Sequence, residues 1–332
     1  MTTHRERIQA AIKGEILDHP PVALWRHFPV DDQSPEILAN ATLHFQQNYE
    51  FDMVKVTPAS SFCVKDWGVQ DEWVGDTEGT RRYTQRVIHD VRDWESLPVL
   101  ESTAPHLAGQ LACLRSIRAR LSPDTPLIQT IFSPLAQAKN LAGDDLLLAH
   151  LRDRPSSVLK GLKAIAETTR RFVEAARETG IDGIFYAVQH AQANILSYEE
   201  YKLFGLIFDV QTIEPAHGLW CNMLHLHGQE VHFELANELP FQIVNWHDRE
   251  SYPSLAEAQE LFAGVLCGGI RQDTLVYRDQ AEVKMEAADA IQQIGGRRFI
   301  LGTGCVVPVI ASHGNILAAK TSPLPSPQRR GS

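Results

Sequence analysis

The sequence predicts an α/β protein, a single (β/α)8 TIM barrel with a short N-terminal helix and a disordered C-terminal tail. Three observations predict it. Eight short apolar runs recur along the chain without the polar alternation of a half-exposed strand, as strands buried on both faces do. Helix-period segments separate nearly all of them, the βαβ rhythm of a parallel sheet. The length of 332 residues fits one barrel with insertions. A doubly wound open sheet is the competing arrangement. The barrel domain is placed at residues 1–320 and the tail at 321–332.

The first helix is expected over residues 3–14, with Ile8 and Ile12 on one face and Gly14 as its stop. The first strand is residues 21–25 (PVALW), and Ser34 and Pro35 open a helix over 34–49 in the cap and first-turn positions. Strand two is 53–57 (MVKVT). Residues 58–88 then form a long loop with a hairpin near 81–88, and long loops tend to be functional. Its aromatics Phe62, Trp67 and Trp73 have two readings, lining a flat ligand or packing on the barrel rim. A helix over 105–121 leads to strand three, 126–132 (PLIQTIF), and helices follow at 134–140, 144–152 and 156–179. Strand four is 181–188, followed by a helix over 197–210; strands five to eight are 220–225, 241–246, 264–267 and 298–301. The tail, rich in Pro, Ser and Arg, has nothing to bury and is expected to be disordered, leaving the helix after strand eight short.

A hydrophobic fraction of 44% supports a large core, and a formal net charge of −10 argues against a nucleic-acid or anionic-membrane surface. Five scattered cysteines without a CxxC argue against a disulfide framework and for a reducing cytoplasm. The charged N-terminus lacks an apolar secretion core, and no window approaches a membrane span.

In a barrel, chemistry collects at the C-terminal strand ends. His225 and His227 are two apart at the end of strand five, so they project to the same side. Cys305 follows strand eight after Gly-Thr-Gly. If the two ends converge, three N/S ligands leave a tetrahedral zinc one open position, as catalytic sites do. Spacing alone leaves the alternative that these are hydrogen-bonded or solvated histidines and a small packed thiol. Arg26 and His27 follow strand one, and Arg26 is the best anion anchor because its fork binds a carboxylate with two parallel bonds. Lys55 sits in the barrel mouth or pairs with an acid such as Asp52. Gln189, Asn245 and Arg271 complete the polar strand ends as substrate-binding candidates, while His247 is a proton donor or base that Asp248 would orient.

In order, the segments PPVALWRHFP, IFSPLAQA, GIDGIFYAVQHAQANILSYEEYKLF, NMLHLHGQ, VNWHD, LCGGI and RRFILGTGCVVP resemble the uroporphyrinogen decarboxylase superfamily, from about residue 4 to 319. The resemblance implies two branches. The true decarboxylases carry a two-arginine segment at strand one, an aspartate at strand two and a His near the end of strand eight. Here only Arg26 stands at the first, Lys55 lies near the second and Gly304-Cys305 replaces the third. In that branch Arg26, His27, His247 and Arg271 would hold carboxylates and protonate a pyrrole carbon. The zinc methyltransferases that act with corrinoid proteins use a His-x-Cys after strand five and a Cys after strand eight. This chain is similar to that pattern, with His227 in place of the first Cys. The favoured expectation is zinc-dependent methyl transfer to a thiol from a corrinoid or other donor, the corrinoid supplied by a partner protein. Carboxy-lyase activity and non-catalytic tetrapyrrole or corrinoid binding are the alternatives. A monomer or homodimer is implied.

Overall fold

The computed structural model describes residues 2–321. The N-terminal helix, His4–Lys13, forms because Thr3 and Glu6 cap each other's backbone N–H groups, and it stops at Gly14 in the left-handed region, φ 75°. Proline at the first turn opens the helices Pro35–Tyr49, Pro105–Arg120, Pro134–Ala142 and Pro155–Arg177.

Among the described residues nine strands follow in chain order: β1 Val54–Val56, β2 Gln70–Glu72, β3 Arg82–Gln85, β4 Leu127–Phe132, β5 Gly183–Val188, β6 Met223–Leu226, β7 Ile243–Trp246, β8 Val265–Ile270 and β9 Phe299–Thr303. Seven of them, in the order β1-β4-β5-β6-β7-β8-β9, form one parallel sheet in a TIM-barrel-like fold. Every residue of these seven is buried, which explains their unalternating apolar sequences.

The expected first strand, residues 21–25, does not join the ladder as a strand. Val22 makes one isolated parallel bridge to Leu301 of β9. On its other side the Val22 N–H donates to the Asp52 carboxylate at 2.8 Å instead of to a backbone carbonyl, and towards β9 Pro21 accepts from Leu301 N–H but has no N–H to give. The segment therefore lies between the outer strands β1 and β9, held by single bonds such as Asp52 N–H to the Val22 carbonyl (2.9 Å).

The helix expected over 197–210 is split. A turn at Tyr198–Tyr201 runs into a π-helical segment, Lys202–Leu206, before the α-helix Ile207–Ile213. The long loop after β1 carries the antiparallel hairpin β2/β3. Phe62 packs on Phe132 and Phe172, and Trp67 packs against the core with its indole donating to the Pro98 carbonyl, so these two take the rim-packing alternative, while the Trp73 indole donates to the Asp76 carbonyl within the loop. Gln280–Ile294 packs against β8 and β9, and the short His313–Lys320 follows β9. Residues 322–332, most of the expected tail, lie outside the described residues. Among the described residues no helix is long and apolar enough to cross a membrane.

Candidate metal centre

Three strands deliver four potential ligands to one point. Period two sets His225 and His227 on one side at the end of β6. The β6/β7 register places His225 opposite Asn245, so two residues further along both chains His227 meets His247. Cys305 arrives just past β9, where the Thr303 hydroxyl donates to the Cys305 carbonyl and fixes the turn. One donor atom from each of His225, His227, His247 and Cys305 lies within 4.8 Å of all the others. Cys305 Sγ is 3.8 Å from His225 Nε2 and 3.8 Å from His227 Nδ1, and His227 Nδ1 is 3.4 Å from His247 Nε2. Ordinary zinc bond lengths in a tetrahedron put nitrogen and sulfur ~3.6 Å apart and two nitrogens ~3.4 Å apart. Those three pairs are close to these values and the remaining pairs lie within 4.8 Å, so the four residues could close on a zinc ion by a contraction of about 1 Å or less.

Asn245 tunes the centre from behind. Its Nδ2 donates to the carbonyls of Cys267 and Thr303 at 2.8 and 3.0 Å, so its oxygen must face the His225 ring, and Oδ1 accepts from Nδ1 at 2.7 Å. That bond places the proton of His225 on Nδ1 and leaves Nε2 as a bare lone pair facing Cys305, the arrangement of a metal-ligating imidazole with its supporting acceptor. Burial, then the neighbouring His227 and His247, pushes His225 well below the usual histidine range. Burial and His247 bring His227 down to about 3, so both rings are neutral at pH 7. Burial, with Glu78 nearby, pushes the Cys305 thiol up to about 12, a proton that a bound cation would displace.

The centre opens on a cavity of about 350 Å³. Its floor is Trp25, Lys55, Thr130 and Phe185; the loop after β1 roofs it with Glu78, Arg81, Tyr83 and Arg86. The roof is tied down, since Thr77 accepts from Val309 N–H at 2.7 Å and Glu78 accepts from Gln272 at 3.1 Å. Gly79, at φ 83°, is needed there because a Cβ would stand 2.5 Å from that of His27.

The structure separates the other sequence-predicted residues. Lys55 and His27 line the cavity; burial brings Lys55 down to about 7 and His27 down to about 3. Asp52 pairs with His4 and Arg7, leaving Lys55 to the barrel mouth. Gln189 lines the cavity and accepts from Lys139 Nζ at 2.8 Å. Arg26 leaves the mouth, its guanidinium 5.5 Å over the Phe28 ring and its neighbours those of a small pocket behind the floor. Arg271 donates to the Arg249 carbonyl outside the cavity. The Asp248 carboxylate turns away from His247 and accepts Gly269 N–H at 3.1 Å from each oxygen, with burial raising it to about 7. His247 joins the ligand group itself. Its signal was present in the matched spacing of His225-x-His227 and Asn245-x-His247, and only strand register makes that spacing meaningful. Lys139 and the roof residues carry no comparable signal, because tertiary packing alone brings them to the mouth.

Fold and centre together describe a TIM-barrel-like protein with three imidazoles and one thiol converging at its strand ends. The chain belongs to the uroporphyrinogen decarboxylase (URO-D) family, which it matches over residues 3–319. Comparison with curated proteins gives no match. Among solved structures it is similar to a methyltransferase from Methanosarcina mazei, with TM-score 0.83 and 18% identity, covering 96% of this chain and 98% of that one. It is also similar to a B12-independent methionine synthase from Shewanella sp. W3-18-1, with TM-score 0.61, 14% identity and 91% of each chain covered. A putative vitamin-B12 independent methionine synthase from Listeria monocytogenes gives TM-score 0.55 and 10% identity, covering 92% and 95%. At these identities the likeness is one of fold.

Proposed function

We propose that this chain is an enzyme that transfers a methyl group to a thiol at a zinc centre, the methyl coming from a corrinoid held by a partner protein or from another donor. The observation that carries the proposal is the convergence of His225, His227, His247 and Cys305, with Asn245 holding the His225 tautomer. The naming of the similar structures as methyltransferase and methionine synthases supports the same reading.

Zinc bound by these residues supplies Lewis acidity that favours the thiolate form of an incoming thiol. The chain's own residues prepare the rest. Asn245 presents the His225 lone pair, burial keeps His225 and His227 unprotonated, and the rings of Trp25, Phe132 and Phe185 along the cavity limit water around the reacting sulfur. His247 is the fourth donor of the group, beside Glu250 at 3.5 Å, and would give up its position to an incoming thiol.

Decarboxylation of a polycarboxylate tetrapyrrole is less well supported. Of the cations lining the cavity, Arg81 is paired with Asp71 and Asp32, Arg86 donates to the carbonyls of Lys139 and Asn140, and Lys139 is bound to Gln189. Several substrate carboxylates would compete for too few partners.

Elemental analysis of the wild type beside His225→Ala and Cys305→Ala tests the centre. About one zinc per chain, absent from both folded variants, is expected; a wild type without zinc after growth in zinc-supplemented medium ends this reading. Methyl transfer from methylcobalamin to simple thiols then tests the reaction, and zinc without transfer to any of them rejects methylation while keeping the centre.

A further inference from the structure

The lysine amine at the cavity floor has no counter-charge beside it. Lys55 is 7% exposed at the middle of β1, and its Nζ has one hydrogen-bond partner, the Thr57 hydroxyl at 3.2 Å. Aromatic faces surround the rest of the amine: the Phe185 centroid is 4.3 Å away and that of Trp25 is 5.5 Å away. Among the described residues no carboxylate reaches ion-pair distance of it, whereas the other cavity cations are already engaged by side chains or carbonyls. Two more buried polar atoms on the same stretch of wall lack a partner, Trp25 Nε1, a donor, and His27 Nδ1.

Buried polar atoms are nearly always paired, and a buried ammonium without a counter-ion is costly. Cys305 does not fill the role directly, because its sulfur approaches His225 and His227. A single aromatic-lined ammonium with two free N–H donors matches one small oxyanion.

We propose that Lys55 is the cationic anchor of an oxyanion subsite at the cavity floor, which takes one carboxylate or phosphate-like group of the bound molecule. The subsite stands on the floor residues and does not rest on the metal centre. His225, His227 and Cys305 line the same cavity, so a molecule that reaches both the centre and the subsite is short and singly anionic at the floor.

The test titrates the full chain with acetate and, separately, with inorganic phosphate at low ionic strength. Binding is read by calorimetry, and shielding of Lys55 from an amine-acylating reagent by mass spectrometry of its peptide. Saturable shielding by at least one of the two is expected; acetate alone marks a carboxylate site and phosphate alone a tetrahedral-oxyanion site. Lys55→Met should weaken that binding by about tenfold or more, and Lys160→Met, at an exposed lysine outside the cavity, should leave it nearly unchanged. Unchanged affinity in Lys55→Met overturns the proposal, as does absence of shielding by both anions in the wild type. Loss of binding in Lys160→Met overturns it too, since the anion would then be held by surface charge outside the cavity. Should Lys55→Met not fold, shielding in the wild type decides. Zinc content is measured in parallel, so failure of the metal reading and failure of the subsite are told apart.

Discussion

Two polar clusters back onto the same strand, one on each face of β5. On the outer face the Asp209 carboxylate, fully buried, accepts the Tyr186 hydroxyl at 2.5 Å on one oxygen and the Tyr201 hydroxyl at 2.6 Å on the other. On the inner face, where Phe185 and Ala187 line the cavity, Lys55 has one neutral partner while His27 Nδ1 and Trp25 Nε1 have none. The closed cluster fastens the helix after β5 to the strand. The open one leaves hydrogen-bonding capacity facing a cavity, the state expected where a ligand completes the network. Burial alone does not separate the two; satisfaction does.

The largest test of this contrast is Asp209→Ala. Removing the carboxylate leaves two tyrosine hydroxyls buried and unpaired, so denaturant unfolding should show a loss of about 3–5 kcal/mol with zinc content retained. Metal-free Cys305→Ala should instead unfold close to its metal-free parent, and a comparable loss there would break the comparison. A smaller effect is expected from Asn245→Ala, which frees the His225 ring to turn. Competition against a chromogenic chelator should show zinc affinity falling ~10–100-fold, and an unchanged affinity would show that Asn245 only joins strands.

The smallest effect concerns pH. Burial holds His27 at about 3 against an ordinary 6.5. Between those values the unfolded chain binds a proton that the folded chain refuses, so this contribution is whole above pH 6.5 and drains away as pH falls towards 3. In metal-free protein, His27→Gln should flatten the acid limb of the stability curve by on the order of 1–2 kcal/mol. An identical curve in the variant would mean that His27 takes up its proton without cost in the folded state.

Most of the sheet is legible in the sequence because strands buried on both faces are mostly apolar and carry no polar alternation, as in LIQTIF and GIFYAV. Residues 21–25 share that composition, yet a ladder also needs donors, and Pro21 lacks one towards β9 while the Asp52 carboxylate takes that of Val22 towards β1. At the centre, period two suffices to pair His225 with His227, and the order of segments brings Cys305 near. His247 needs the β6/β7 register, which no residue in either strand announces. Arg26, Asp248 and Arg271 stand at strand ends as a reader of the sequence would want, but direction is set by local partners: the Phe28 ring, the Gly269 N–H and the Arg249 carbonyl.

Asn245 touches three strands besides its own: β6 through His225, β8 through the Cys267 carbonyl and β9 through the Thr303 carbonyl. Thr303 is two residues before Cys305, and His247 two residues after Asn245 itself. One carboxamide thus works as a machinist's jig, indexing His225, His247 and Cys305 to a common origin. Its three bonds resist slippage of the strands past one another, and with it any spreading of the three side chains.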